Sequence, residues 1–308
     1  MAIYLALETK RMIDEAIERD QGSSYRGWLG KVIPHMDDAY REGEEPFRTH
    51  MGASLIGGKC PKAIWYGFHW VTRPKFSGRI LRLFNRGHLE EARFIAMFLM
   101  IGCQVFQQDQ NGKQFRISHA DGHFGGSGDG VVIGLPELNP GQPCLLEFKT
   151  HSEKSFLKLQ KEGVREAKPE HFVQMQVYMR KMGIAIALYG AVNKNTDEIH
   201  LEYIKCEPEV GDQYLARGEK LVWMKKPPEG ISKSPGYFEC RFCDHRPVCQ
   251  LGAEPDLNCR TCHYATPVPG GTWSCGYTEA QRPGSGLIHI EKAQQFTGCT
   301  NYKRNEGI

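Results

Sequence analysis

The chain has 308 residues, 40% hydrophobic and 24% charged, with a net charge of +3. That is enough chain for one catalytic domain with appended pieces. It is too little net charge to announce a nucleic-acid partner, so any DNA-binding surface must come from local clustering. No apolar run reaches the ~18 residues of a membrane span. The N-terminus, MAIYLALETKRMIDEAIERD, is charged within its first ten residues, which predicts an amphipathic helix rather than a signal peptide and a cytoplasmic setting.

Taken in chain order, residues 1–50 predict a helical segment of two helices joined near Gly22-Ser23-Ser24, with Met12, Ile13, Ala16 and Ile17 as an apolar stripe on the first. A glycine-rich and then aromatic stretch, GASLIGGKCPKAIWYGFHW, opens a core expected over 51–229. A helix is predicted from Arg79 to Met100, with Gly87 marking a break or a close approach. Strands are predicted near Gln104–Gln107, Phe115–Ser118, Gly128–Gly134 and Cys144–Lys149. Helices near Ser155–Lys161 and Glu170–Met182 follow, then a strand pair, Ala185–Val192 and Ile199–Cys206. A last helix, about Val210–Lys225, ends at Pro227-Pro228. From Gly230 the chain is rich in Cys, Gly and Pro with little periodicity, so something other than a large apolar core must hold it.

The stretch GDGVVIGLPELNPGQPCLLEFKT carries the first chemical signal. Cys144-Leu145-Leu146 reads as a buried strand, yet it runs into Glu147 and Lys149. Charge is costly in an apolar setting unless it is paired or holds a metal. Side chains two apart on a strand share a face, so Glu147 and Lys149 point together, away from Leu146 and Phe148. Asp129 sits upstream between two glycines. Two carboxylates so placed suit Mg²⁺ or Mn²⁺, which favour oxygen ligands. Such a metal activates water and stabilises charge on a phosphoryl group, with Lys149 positioning or helping to deprotonate the water. By itself an E-x-K triplet carries little weight in a chain that is 24% charged. Its setting, between an Asp in a Gly-rich strand and a following helix, gives it more.

Asp129 and Glu147-Phe148-Lys149 together resemble the PD-(D/E)XK nuclease signature. Two further pieces resemble its RecB-like and lambda-exonuclease-like branches. In NRGHLEEARF, Gly87 is followed four residues later by Glu91, where the branches carry His or Glu as a ligand. His88 lies one turn earlier on the same helical face as the reserve ligand, and Glu90 points elsewhere. In HFVQMQVYM, Gln174 and Tyr178 match a QxxxY motif whose helix lines the active site in the family. The resemblance implies an α/β fold with a mixed central sheet flanked by helices. It implies a ligand set of Glu91, Asp129, Glu147 and the Phe148 carbonyl, with Lys149, Gln174 and Tyr178 alongside. The activity implied is DNA hydrolysis, exonucleolytic, on single strands or duplex ends, in recombination, repair or phage DNA processing. A recombinase or single-strand annealing protein is the implied partner. A non-catalytic DNA-binding module on the same fold and an RNA-directed nuclease stay open as alternatives.

Seven of the eleven cysteines fall after residue 239, which points to metal rather than to disulfides. Cys103, Cys144 and Cys206 sit singly and read as core thiols. CRFCDHRPVC supplies Cys240, Cys243 and Cys249, three thiolates where a metal site needs four, with His245 or a distant residue as the fourth. This arrangement is similar to AddB-type and CRISPR-adaptation nucleases, above all phage-encoded members. There a lone cysteine before the core, here Cys60, closes a [4Fe–4S] cluster with the later three. The clasp would then comprise 230–252 with Cys60. Cys259, Cys262, Cys275 and Cys299 read as a zinc-binding tail over 253–308, with His263 or His289 as alternatives to Cys299.

Arg79, Arg82 and Arg86 share one helix face leading to Glu91 and could grip phosphates, with Lys75 just upstream. The other reading is a solvated basic face. Trp65, Tyr66, Phe68 and Trp70 could stack on unpaired bases or form core. Arg260 and Lys303 are further candidates for DNA contact.

Overall fold

The computed structural model describes residues 3–36, 48–110 and 114–308. Part of the expected N-terminal helical segment, 37–47, lies outside the described residues. The chain divides into two compact units. One comprises Met1–Glu44, Phe76–Ile117 and Ser127–Asp212, and the other Glu45–Lys75, Ser118–Gly126 and Gln213–Ile308. The N-terminal helices therefore belong to the same unit as the predicted carboxylate strand. The segment carrying Cys60 belongs with the cysteine-rich tail.

In the first unit, helices α1 (Leu7–Arg19) and α2 (Ser23–Val32) come first. Two short elements of the second unit intervene, β1 (Met51–Gly52) and α3 (Pro61–Phe68), before the long helix α4 (Gly78–Met100). Strands β2 (Gln104–Phe106), β3 (Arg116–His119), β4 (Phe124–Ser127), β5 (Gly130–Ile133) and β6 (Cys144–His151) follow; β3 runs on into the second unit, and β4 belongs to it except for Ser127. Then come α5 (Glu153–Ala167), α6 (Pro169–Met182), β7 (Ile186–Asn193), β8 (Ile199–Lys205) and α7 (Pro208–Trp223), the last passing into the second unit from Gln213.

Five strands make a mixed sheet in the order β2-β5-β6-β7-β8. β6 runs parallel to β7, with Glu147 opposite Tyr189, and the other neighbours are antiparallel. The architecture is thus α/β with a mixed sheet. A parallel pair needs a crossover, and α5 with α6 provides it. One face of the sheet presents Leu146, Phe148, Leu188 and Val192 to Phe94 and Phe98 of α4 in a single apolar core. The Phe94 and Phe148 rings stack at 4.7 Å. A Cβ at Gly190 would stand 2.9 Å from the Phe148 ring, so the neighbouring strand has to carry glycine there for Phe148 to lie flat. The packing fixes Phe148 downward and so aims Glu147 and Lys149 at the opposite face.

The helix α4 runs unbroken through Gly87, and a Cβ there would meet nothing within 4 Å. The expected break or close approach is absent because helical hydrogen bonding on both sides carries the glycine through. The other predicted strands and helices lie close to the observed bounds, except that the helix expected near Ser155–Lys161 runs on to Ala167, and β4 was not expected. Cys103 and Cys144 are buried as expected, whereas Cys206 is only half-buried, at the end of β8.

In the second unit, β1 pairs in parallel with β4. Its C-terminal portion contains α8 (Phe238–Arg241), α9 (Arg246–Leu251), β9 (Ala265–Val268), β10 (Thr272–Cys275), α10 (Tyr277–Gln281), β11 (Ile288–Ile290) and α11 (Lys292–Gln295). Strands β9, β10 and β11 make a small antiparallel sheet that the aperiodic sequence did not suggest. Trp65, Tyr66, Phe68 and Trp70 are 0–2% exposed, so they are core and not a base-stacking surface. Arg260 is 1% exposed, with its guanidinium 3.7 Å from the Trp70 ring centre and 4.7 Å from that of Trp273. It donates to Phe68 O and Gln295 Oε1. A side chain so enclosed cannot reach DNA, and Arg260 is instead a cation–π centre of this unit.

Candidate active site

Asp129 immediately precedes β5, at a place where only glycine can follow. Gly130 has φ +147°, and a Cβ there would lie 2.9 Å from Phe106 O. The strand therefore turns tightly into the sheet, and Asp129 Oδ2 accepts from the Phe148 amide at 2.7 Å. That bond ties the carboxylate to the middle of β6. Glu147 is 2% exposed on the same strand. One of its oxygens accepts from Lys149 Nζ, and the other from Gln174 Nε2 at 2.9 Å. Lys149 also donates to Phe148 O at 3.1 Å, so the candidate ligand carbonyl already has one partner. Tyr178, one turn beyond Gln174, donates to Ser127 O at 2.8 Å and holds the segment leading to Asp129. The Gln174 and Tyr178 pair thus supports both acidic positions from one face of α6.

Glu91 enters from α4 with His88 Nδ1 at 3.8 Å from its Oε1. Glu90 turns away, as expected, and pairs with Arg93 at 3.1 Å. The four charges act on one another. Burial pushes the Glu147 carboxyl up to about 7, with Lys149 opposing and Asp129 and Glu91 adding to the rise. Burial likewise raises Asp129 and Glu91. Burial opposes charge on Lys149, but Glu147, Asp129 and Glu91 outweigh it and raise the ammonium above its usual range. Three acidic groups and one ammonium thus act on one another in a poorly solvated place. Such a donor set, all hard oxygen, fits Mg²⁺ or Mn²⁺. Among the described residues, no group of three or more His, Cys, Asp or Glu side chains stands in a geometry that could hold a metal ion. The carboxylate oxygens of Glu147 and Asp129 are directed instead at Lys149, Gln174 and the Phe148 amide.

Three residues that the sequence reading passed over adjoin this cluster. Tyr189, opposite Glu147 in β7, is fully buried between two imidazoles. Its hydroxyl lies 2.9 Å from His151 Nε2 and 2.8 Å from His171 Nδ1, and His151 Nδ1 lies 2.9 Å from Ser155 Oγ. The signal was present in the spacing. His151 continues the face of Glu147 and Lys149 along β6, and His171 is three residues before Gln174 on α6.

Arg79, Arg82 and Arg86 are exposed on the N-terminal half of α4, and Arg86 donates to Lys194 O at 3.1 Å. Leu81 and Phe84 are exposed on the same half, with the Phe84 ring against that of Phe76.

In the second unit, Cys60, Cys240, Cys243 and Cys249 line one small cavity with Tyr66 and His245. Burial raises the Cys243 and Cys249 thiols, and Cys60 acts on both in the same direction. His245 Nδ1 lies 2.6 Å from Thr72 Oγ1 and so already has a partner. Burial pushes the Cys259 thiol up to about 11, with Cys262, Cys299 and Cys275 reinforcing it. Cys299 thus acts on Cys259 in the same direction as Cys262 and Cys275. His289 stands 3.6 Å from Glu291, and the His263 amide donates to Lys303 O. Both sulfur sets are four soft donors, the chemistry that zinc and iron–sulfur clusters use. Cys259 Sγ directs its hydrogen at carbonyls of Gln294 and Thr297, both at 3.4 Å.

No protein-family model matches this chain, and no curated protein matches it. Among solved structures, it is similar to the alkaline exonuclease LHK-Exo from Laribacter hongkongensis, seen alone and in complex with dAMP. Identity is 16%, covering 56% of this chain and 86% of that one, with a TM-score of 0.40. It is also similar to SSO0001, at 13% identity over 74% of this chain and 97% of the other, with a TM-score of 0.38. No described helix is long and apolar enough to cross a membrane.

Proposed function

We propose that this chain is a Mg²⁺- or Mn²⁺-dependent deoxyribonuclease of the PD-(D/E)XK type, exonucleolytic, acting in recombination, repair or phage DNA processing. The observation that carries the reading is the pairing of buried Glu147 with Lys149 on one face of β6, with Asp129 hydrogen-bonded to the Phe148 amide between them. Glu91, Asp129, Glu147 and the Phe148 carbonyl would hold the divalent ion, which when bound supplies Lewis acidity and a more acidic water. Gln174 fixes the rotamer of Glu147, and Tyr178 fixes the backbone before Asp129. Lys149, held as a cation by its three carboxylate neighbours, orients water and offsets charge developing on phosphate oxygen. It is not placed to remove the proton itself while it stays charged. Arg79, Arg82 and Arg86 bind backbone phosphates upstream. Cys60, Cys240, Cys243 and Cys249 would hold a [4Fe–4S] cluster, and Cys259, Cys262, Cys275 and Cys299 a zinc ion, each of which would contribute folding energy to the second unit.

The test is cleavage of end-labelled single- and double-stranded DNA, with matched RNA, in Mn²⁺. The reading expects DNA cleavage that Lys149→Ala abolishes while the melting curve is retained. DNA cleavage unchanged by Lys149→Ala, or RNA cleaved in preference, overturns it.

A further inference from the structure

The chain Ser155–His151–Tyr189–His171 lies outside the proposed metal ligands, and no step above uses it. Its inner members are built in, with His151 3% and Tyr189 0% exposed. Its outer member is not. His171 is half-buried, and its Nδ1 faces Tyr189, which leaves Nε2 on the opposite side of the ring. The imidazole shares a helix face with Gln174 and Tyr178, the two residues of α6 that brace the carboxylates. Burial pushes the His171 imidazole down to about 3, and Lys149 is the leading charge acting on it. The ring is therefore neutral at ordinary pH and lies near the catalytic ammonium.

We propose that His171 is a further substrate-contacting residue of this site, its Nε2–H donating to a non-bridging phosphate oxygen of the bound strand, with Tyr189 and His151 as positioning residues. The inference rests on the nuclease reading and deepens it. Its logic is the direction of the hydrogen-bond chain. Two proton arrangements satisfy the three contacts and also pair the hydrogen of the buried Tyr189 hydroxyl. In one, Ser155 Oγ–H donates to His151 Nδ1, His151 Nε2–H to Tyr189 Oη, and Tyr189 Oη–H to His171 Nδ1, which leaves Nε2–H pointing outward. In the other every donor is reversed, and Nε2 presents a lone pair. A phosphodiester oxygen has no proton to give, so it selects the first arrangement. The buried tyrosine fixes the ring and transmits the choice to Ser155 without any group gaining net charge. A neutral donor there adds to Lys149 without adding a second buried cation beside it.

Two amide replacements separate the roles. In His171→Gln the side-chain amide reaches the Nε2 position, and in His171→Asn it reaches only the Nδ1 position facing Tyr189. Affinity is read by fluorescence anisotropy of a labelled single-stranded oligonucleotide in Ca²⁺, and kcat and KM in Mn²⁺, with melting curves for each variant. The expected result is that His171→Asn weakens binding by about tenfold or more, while His171→Gln stays within about threefold of wild type. Tyr189→Phe raises KM more than it lowers kcat. In wild-type protein labelled with ¹⁵N-histidine, the His171 Nε2 resonance moves when oligonucleotide is added. The inference is overturned if His171→Asn matches wild type, if both replacements do, or if that resonance stays fixed while DNA binds. Wild-type cleavage with unaffected variants removes the inference alone. A wild-type protein that neither binds nor cleaves DNA removes the nuclease reading, and the inference with it.

Discussion

Replacing Gln174 by leucine perturbs the site without touching a proposed ligand. Gln174 is 6% exposed, and its amide donates to Glu147 Oε2 at 2.9 Å. Leucine keeps most of the volume and removes the donor. A hydrogen bond to a charged group contributes about 1.5–3 kcal/mol. Losing it disfavours ionised Glu147 by that amount. Burial has already brought this carboxyl to about 7. At about 1.4 kcal/mol per tenfold, its midpoint moves to about 8 or 9, and the ionised fraction at pH 7 falls from about half to about a tenth or less. The sign follows from the charge type: an acid made weaker needs higher pH to reach the same ionised fraction. The assay is the initial rate of DNA cleavage from pH 6 to 9.5 at subsaturating Mn²⁺, under single-turnover conditions, where uptake of the ion requires ionised Glu147. The variant should lose about tenfold or more at pH 7 and regain most of that by pH 9. A loss equal at both ends of the range would refute the reasoning and place Gln174 against the substrate instead.

Three other outcomes follow from the same coordinates. Gly130→Ala should lower stability in urea by about 2–3 kcal/mol, because a Cβ there collides with Phe106 O and the backbone is at φ +147°; unchanged stability contradicts the strand geometry. Removing Arg79, Arg82 and Arg86 together should flatten the dependence of log affinity on log salt by about 2 for single-stranded DNA, and an unchanged slope would return this face to plain solvation. After anaerobic purification, Cys240→Ser should lose about four iron and keep zinc, while Cys299→Ser should lose about one zinc and keep iron. Two zinc ions in wild-type protein would set aside the cluster without affecting the nuclease reading.

The parts of this fold legible in the sequence are those where one period dominates. The apolar run Cys144-Leu145-Leu146 pointed to the strand, observed as Cys144–His151, and the strand period of two put Glu147 and Lys149 on one face. The apolar stripes gave α1 and the long α4. Gly87 misled because a helix interior tolerates a glycine at modest cost when both flanks are firmly helical. The sheet of β9, β10 and β11 was hidden, because a few short strands around Trp273 leave no detectable period. Arg260 reads as a surface cation, and only tertiary packing reveals Trp70 and Trp273 on its faces. Tyr189 sits in a wholly buried strand, where nothing local distinguishes a hydrogen-bonded tyrosine from a packed one. Its partners were within reach of the strand and helix periods, since His151 follows Lys149 by two and His171 precedes Gln174 by three. The sulfur and oxygen donors were legible by residue type and spacing, whereas their partners, Lys149 for Glu147 and two carbonyls for Cys259, come only from tertiary packing.

The most direct trial is Mn²⁺ binding followed by electron paramagnetic resonance, at pH 8 and without nucleic acid. Wild-type protein should take up the ion in a saturable site, with affinity falling about tenfold or more in Asp129→Asn and in Glu147→Gln and holding in Cys299→Ser. An uptake that ignores both acidic substitutions, or no uptake at all, would contradict a divalent ion shared by Glu91, Asp129 and Glu147.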